Sequence, residues 1–382
     1  MANPNRKMAT LRRIDSIAPI DGADRIELAR LGGWDVVVGK GEHSPGDVVV
    51  YFEIDTFFPT GDPRYEFLSH SNGVKRMLVD NGDGTTTELS GYVLRSAKLR
   101  GQVSQGLVMS PEACGIMDTN AYGDVSRHPD VSDECGVREY VPPMPIGNTD
   151  AVGHFDERLA HRTDAERVQN VSPRAWEAMR HVPFRATVKV DGTSTTIGSD
   201  ADGELHVYGH SYELSQKPGT MGAEILAAYE DAGIADWCRE HPLCAVQGEF
   251  VGPKVNCNRL NLTSRRVIAF SVWMRDSADE MRHKADAYDI GFAQRFAKSF
   301  VPTPNGPDGK PLASLDWFDT PSDLVAFVAD TARDYVTKGR LDEGFVLHFD
   351  DDGSDYARTL RDEIGENMEV KVISNRYLLK EK

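Results

Sequence analysis

Ala186-Thr-Val-Lys-Val-Asp-Gly-Thr193 is the stretch on which the reading of this chain turns. Ala186-Thr-Val is apolar and β-branched and predicts a strand, which the Asp191-Gly192 pair then turns sharply. A lysine at such a strand end is an attacking group only if it loses its proton. Its free pKa is ~10.4, so a nucleophilic Lys189 needs surroundings that disfavour the ammonium, such as a neighbouring divalent cation. Gly192 lets the backbone lie close to a bound ligand, and Asp191 is placed to touch that ligand or hold the loop.

The pattern Lys-x-Asp-Gly by itself is weak, since average residue usage produces it by chance in roughly one chain in ten of this length. Three downstream segments raise its value. Gln247-Gly-Glu-Phe-Val-Gly-Pro253 puts Glu249 near the end of an apolar strand that then turns. Val267-Ile-Ala-Phe-Ser-Val-Trp273 reads as a buried strand that offers Phe270 as an aromatic face. Asp342-Glu-Gly-Phe-Val-Leu347 places Glu343 at the start of another strand, and Met368-Glu-Val-Lys-Val-Ile-Ser374 places Lys371 in a last one. Each alone has a plainer reading: strand-end acids are mostly solvated, Phe270 would be core, and Lys371 would guard a sheet edge.

Upstream, between Met8 and Pro111, the text is a series of short strands: Trp34-Asp-Val-Val-Val, Asp47-Val-Val-Val-Tyr-Phe-Glu-Ile, Gly91-Tyr-Val-Leu-Arg and Gln105-Gly-Leu-Val-Met. Turns such as Ser44-Pro-Gly-Asp47 and Asn81-Gly-Asp-Gly84 cut them, and the pattern predicts a small OB-type barrel. A linker is expected from Gly136 to Thr149, where Pro142, Pro143 and Pro145 break every period. Val168, Val171, Trp176 and Met179 then predict a helix over Ala165 to Arg180. From Phe184 onward strands and helices mix, with helices near Ala223 to Ala232 and Pro321 to Tyr335. The fold class is therefore α+β: an N-terminal OB-type β-barrel over 1–145 and a mixed α/β domain over 146–382.

The chain has 382 residues, enough for two cores. Its net charge of −17 argues against a protein that coats nucleic acid without regard to sequence, though not against a local basic groove. No apolar run approaches bilayer length and no leader is evident, so a soluble, cytoplasmic protein is expected, with no membrane and no obligatory protein partner. Five cysteines with no metal or redox spacing read as reduced structural thiols. Arg6, Lys7, Arg12 and Arg13 read as a solvated, disordered start. His43, His128, His154 and His283 read as surface residues, and Lys98 and Arg100 as neighbours on one strand face, equally fitted to meet nucleic-acid phosphate or to form a solvated face of the barrel.

In this order, the segments around Lys189, Glu249, Phe270, Glu343 and Lys371 resemble those of the ATP-dependent ligase and capping-enzyme superfamily, and in particular its RNA ligase 2-like branch. Gly22-Ala-Asp-Arg-Ile-Glu27, Gly33-Trp34, Gly46-Asp-Val-Val-Val-Tyr-Phe-Glu-Ile54 and Lys98-Leu-Arg-Gly-Gln-Val-Ser-Gln-Gly-Leu107 resemble the OB module that precedes the ligase domain in one group of RNA ligases. The resemblance covers most of the chain but matches the linker and the segment from about Asp276 to Asp319 poorly. It implies an ATP-grasp-like nucleotidyltransferase domain. There Lys189 is adenylated by ATP, and Glu249 contacts the nucleotide or a metal-bound water. Phe270 stacks on adenine, Glu343 organises Mg2+ or Mn2+, and Lys371 holds the ATP phosphates. Val188, Asp191 and Gly192 complete the ATP site. The implied substrate is RNA or a nicked RNA/DNA duplex, sealed through an adenylated 5′-end with RNA supplying the 3′-hydroxyl.

Three departures stand out. Gly209-His-Ser-Tyr-Glu-Leu214 offers His210 where relatives carry an arginine, and an imidazole is not a guanidinium fork. Val188 replaces a common glutamate, which shifts adenine recognition toward backbone groups. Ile373 stands where a second lysine is usual. These leave room for a noncatalytic nucleic-acid-binding protein with a decayed ligase domain. An mRNA-capping guanylyltransferase or a DNA ligase is a further alternative, weighed down by the eleven residues that follow Lys371, too few for the extra OB domain those families carry.

Overall fold

The structure is a computed structural model that describes residues 6–70, 73–80, 85–141, 150–162 and 165–379. The Val-rich runs of the N-terminal part form strands because β-branched side chains pack well on a pleated, half-buried surface. Ala9–Arg13, Val48–Phe52 and Leu107–Met109 make one small antiparallel sheet, with Val48–Phe52 in the middle. Ser16–Pro19, Ile26–Leu31 and Trp34–Gly39 make a second, and Arg138–Glu139, Thr56–Pro59, Thr86–Val93 and Lys75–Asp80 a third. Phe52, Phe58 and Tyr65 fill one side of this barrel, and Trp34, Val36 and Tyr51 the other. The predicted OB-type barrel is present.

Several local expectations change. The prolines at 142, 143 and 145 and the Asn81–Gly84 turn lie outside the described residues. Arg138–Glu139 still pairs with Thr56–Pro59, so the chain remains in the barrel sheet past Gly136, where the linker was expected to begin. The basic N-terminus is not a solvated tail. Arg6 forks onto Glu53 and Glu139, at 2.8 Å each, and Arg12 is only 3% exposed. Guanidinium groups fold inward when planar acceptors match their fork. Arg100 does not share a strand face with Lys98. It occupies a left-handed turn at φ 49° after the strand Ala97–Leu99, and both side chains are exposed.

The second half holds two sheets that face each other. The seven-stranded one runs Ala151–His154, Tyr212–Leu214, Leu205–Tyr208, Thr193–Ser199, Cys244–Val251, Arg266–Met274 and His283–Ala285. The four-stranded one runs Glu166–Arg167, Glu369–Ile373, Gly344–Phe349 and Phe184–Lys189. Helices Met221–Asp231 and Ile234–Glu240 cover the first around Tyr229, Trp237 and Phe250. Pro173–Met179, Pro321–Thr331 and Asp355–Ile364 cover the second around Trp176, Leu324, Phe345 and Leu360. The helix expected from Ala165 begins only at Pro173, because Ser172 caps it and Pro173 occupies its first turn. Glu166 and Arg167 instead pair in parallel with Val370 and Lys371. Among the described residues no helix is long and apolar enough to cross a membrane. Cys114, Cys135, Cys238 and Cys244 are buried free thiols and Cys257 is exposed.

The barrel is joined to the second half by Asn170, whose amide meets four partners. Its oxygen accepts from Arg12 at 2.9 Å and from the Trp34 indole at 3.0 Å. Its nitrogen donates to Glu53 and to Glu166, both at 2.8 Å. His128, expected at the surface, lies against the same residue with Nδ1 3.3 Å from the Asn170 carbonyl. Burial, and then the Arg12 charge, push its imidazole down to about 3.

Candidate active site

Strand alternation decides which side chains enter the space between the two sheets. Along Phe184–Lys189, Phe184, Ala186 and Val188 join the core, whereas Arg185, Thr187 and Lys189 face the cleft. Lys189 closes a strand of the four-stranded sheet, and Thr193 opens a strand of the seven-stranded sheet. The Val190-Asp-Gly192 turn therefore bridges the two layers. A Cβ on Gly192 would sit 2.4 Å from the Phe250 carbonyl oxygen, which explains why this position must be bare. Gly344 has the same need: at φ 157° a Cβ there would be 2.0 Å from the carbonyl oxygen of Val372.

Glu249 comes from the seven-stranded sheet and Glu343 from the start of Gly344–Phe349 in the other. Glu343 is pinned by its backbone: its N–H donates to the Lys189 carbonyl at 3.1 Å, and its carbonyl accepts from Ser374 at 2.9 Å. Its carboxylate accepts from Lys189 Nζ at 2.7 Å. Burial works against the Lys189 ammonium, but Glu343 and Glu249 outweigh it, and the lysine pKa is raised. Burial first, then Glu343 and Asp191, push Glu249 up to about 8 even though Lys189 pulls it down. The neutral amine anticipated from the sequence is thus not the resting state. Lys189 is held as an ammonium among acids until positive charge from elsewhere relieves them.

Among the described residues no three His, Cys, Asp or Glu side chains form a ready-made metal cage. Glu249 and Glu343 nevertheless fit a hard divalent ion that keeps most of its waters and takes phosphate oxygens as further ligands. Buried first of all, and crowded by Glu343 and Asp191, Glu249 is a carboxyl that added positive charge would bring back to its ionised form.

The remaining expected residues are placed as follows. Lys371 lies in the cleft sheet opposite Val346, while Lys189 lies opposite Gly344. Two strand spacings and a two-residue offset separate their Cα atoms by roughly 12 Å. Phe270 is half-buried and lines a cavity between the sheets. Val188 points into the core, and its N–H is taken by the Pro302 carbonyl at 2.9 Å, so that backbone donor is already used. His210 is exposed beyond the strand Leu205–Tyr208. Sequence reading missed Tyr377 and Arg259. Burial, then Glu343 and Asp191, raise the Tyr377 hydroxyl, and Arg259 lies 3.9 Å over the Tyr377 ring and donates to its carbonyl at 2.9 Å. This contact ties the loop after Glu249 to the short helix Asn375–Leu378 across the mouth of the site.

A family model described as an OB-fold domain matches residues 8–111. No curated protein matches the chain. Among solved structures, an apo mutant RNA ligase of Naegleria gruberi has a TM-score of 0.68 at 27% identity, covering 100% of this chain and 99% of its own. A mutant of the same ligase with AMP and Mn has a TM-score of 0.68, and one with ATP and Mn 0.67. Both are 27% identical over 98% of this chain and 99% of theirs. End to end, the chain is built as an RNA ligase whose OB domain comes first.

Proposed function

We propose that this ATP-dependent RNA ligase joins a 3′-hydroxyl to a 5′-phosphate through an AMP carried on Lys189, sealing nicks in duplexes with RNA on the 3′-hydroxyl side. The observation that carries the reading is the Lys189–Glu343 contact of 2.7 Å, at the turn where the two sheets meet. The solved neighbours bound to ATP or AMP with Mn support the choice of nucleotide and metal.

The reaction has three phosphoryl-type transfers. The Lys189 amine displaces pyrophosphate from the α-phosphorus of ATP, and its proton leaves to the acids beside it or to water. The RNA 5′-phosphate then displaces Lys189 to form the adenylated 5′-end, and the 3′-hydroxyl displaces AMP to seal the strand. Glu249 and Glu343 would hold Mg2+ or Mn2+, which when bound neutralises charge on the phosphate oxygens and favours the unprotonated lysine. Asp191, near the Tyr377 hydroxyl, fixes the loop beside Lys189. Lys371 stabilises phosphate charge from the same face of the sheet, and Phe270 packs on the base. Residues 1–145 serve as the nucleic-acid-binding domain and 146–382 as the adenylyltransferase, with Lys98 and Arg100 as exposed phosphate contacts on the barrel.

The test is covalent labelling with α-phosphate-labelled ATP followed by sealing of nicked duplexes that carry RNA or DNA on each side. Wild type is expected to label and to require RNA at the 3′-hydroxyl, and Lys189→Ala to do neither. Retained covalent label in Lys189→Ala would sink the assignment.

A further inference from the structure

Two residues before Lys189, on the same cleft face, Thr187 begins a buried polar chain that the reaction steps above leave unused. Its hydroxyl lies 2.8 Å from His348 Nε2, and His348 Nδ1 lies 2.9 Å from Glu369 Oε1. The Lys284 ammonium contacts the same carboxylate oxygen and lies 3.1 Å from His348 Nδ1. These residues come from three strands of the four-stranded sheet and from the edge strand His283–Ala285 of the other. All four line a cavity of about 310 Å3 or pair directly with its wall, and Phe270 stands on its opposite side. Of the strand Phe184–Lys189, Arg185 and Thr187 line the cavity and Lys189 does not. Its volume lies at the small end of ligand pockets, ~300–1,000 Å3.

The positions of the protons follow from the charges. Burial opposes the Glu369 charge, but Lys284 and His348 hold its carboxyl well below the usual range, so it is ionised. Burial, and then Lys284, push His348 down, so the imidazole is neutral. An ionised carboxylate at 2.9 Å cannot face a bare nitrogen lone pair, so the one imidazole proton sits on Nδ1. Nε2 then accepts, and the Thr187 hydroxyl must donate to it. Thr187 has spent its only proton on the protein, and what it offers the cavity is a lone pair.

We infer that Thr187, oriented by His348, Glu369 and Lys284, is a specificity-determining residue that accepts a hydrogen bond from the 6-amino group of the purine. This rests on the reading of the cleft as a nucleotide site and goes further by naming what selects the base. Adenine carries a donor at that position. Guanine and hypoxanthine carry an oxygen, which would set acceptor against acceptor in a buried place. His348 and Glu369 act through Thr187 and are positioning residues. The opposite tautomer, with Nδ1 accepting from Lys284, would turn the Thr187 proton toward the cavity and reverse the preference.

The experiment measures the initial rate of covalent labelling of the full chain by ATP, ITP and purine riboside triphosphate, which has no 6-substituent. Wild type should use ATP about tenfold faster than the unsubstituted purine, and ITP more slowly still. Thr187→Val should erase the ATP advantage over purine riboside triphosphate, and Thr187→Ser should keep it. Equal use of ATP and purine riboside triphosphate by wild type overturns the inference, as does an unchanged ratio in Thr187→Val. The wild-type ratio decides by itself if Thr187→Val does not fold. Faster labelling by ITP overturns the inference and points to the opposite tautomer. Failure of every nucleotide to label wild type sinks the ligase reading and this inference together, whereas labelling with an unaltered ratio sinks only this one.

Discussion

Gly192→Ala perturbs one atom at the point where the two sheets of the ligase half separate. The new methyl would lie 2.4 Å from the Phe250 carbonyl oxygen, 2.6 Å from Val251 Cγ1 and 2.9 Å from Glu249 Cγ. All three belong to the strand Cys244–Val251, which pairs with Thr193–Ser199, so relief requires the strands to part beside Glu249. The carbonyl contact is short of ordinary packing by about 1 Å. Displacement of that size between reacting groups costs on the order of 100-fold in rate. Crowding of this kind destabilises a fold by only about 1–3 kcal/mol. The expected outcome is therefore a protein that melts cooperatively, somewhat earlier than wild type, and forms enzyme–AMP about 100-fold more slowly under single-turnover conditions. Sealing of a pre-adenylated nick should fall as well if the metal proposed for Glu249 and Glu343 also serves the later transfers. A variant that labels at the wild-type rate with unaltered stability would show that the bare position is not what sets the geometry of Glu249.

Glu343→Gln removes the closest partner of the Lys189 ammonium; an amine-directed reagent should modify Lys189 faster in the metal-free variant, while enzyme–AMP formation falls by about 100-fold or more. Glu249, pushed up to about 8, holds a proton in most metal-free molecules at pH 7. Metal binding should then release a proton and tighten as pH rises toward 8, a dependence that calorimetry in buffers of different ionisation enthalpy reads directly and that Glu249→Gln should abolish. His128 has a folded pKa of about 3 against 6.5 unfolded, so the unfolded chain alone takes up its proton in that interval. Stability should be full above pH 6.5 and fall by up to about 1.4 kcal/mol per pH unit toward 3, with a shallower slope in His128→Asn; denaturant titrations across this range give the answer. Tyr377→Phe removes the hydroxyl that lies near Glu343 and Asp191 and should slow enzyme–AMP formation about tenfold at unchanged melting temperature, and no change in rate would remove Tyr377 from the site.

Lys189, Glu249 and Glu343 were legible because each is carried by a short strand-and-turn text whose glycine has a local steric cause. Gly192 and Gly344 leave room for a neighbouring carbonyl, and a sequence records such requirements within four or five letters. Thr187 and His348 stand 161 positions apart and meet only through sheet register, so no window of sequence joins them. Arg259 and Tyr377, 118 apart, were hidden in the same way. Arg6 and Arg12 were misread because a run of like charge ordinarily stays in water, and their acceptors, Glu53, Glu139 and Asn170, are distant in the chain. Val168 and Val171 fit a helical period yet precede the helix, because capping by Ser172 decided where it starts. The barrel was readable in outline since Val-rich runs between turns leave few other folds open. The point at which the chain leaves its last strand was not, because a two-residue strand such as Arg138–Glu139 has no period to detect.

The amide of Asn170 has a bearing on how the two halves can be studied. Cutting away the barrel would remove Arg12, Trp34 and Glu53 together, stranding a half-buried side chain that keeps only Glu166 of its four partners. The strand that carries Glu166 lies directly against the one that carries Lys371. Loss of sealing by such a fragment would therefore not distinguish missing RNA contacts from a loosened Lys371, the lysine proposed to stabilise phosphate charge. Surface substitutions on the barrel that spare this joint are the cleaner way to ask what the first half of the molecule contributes.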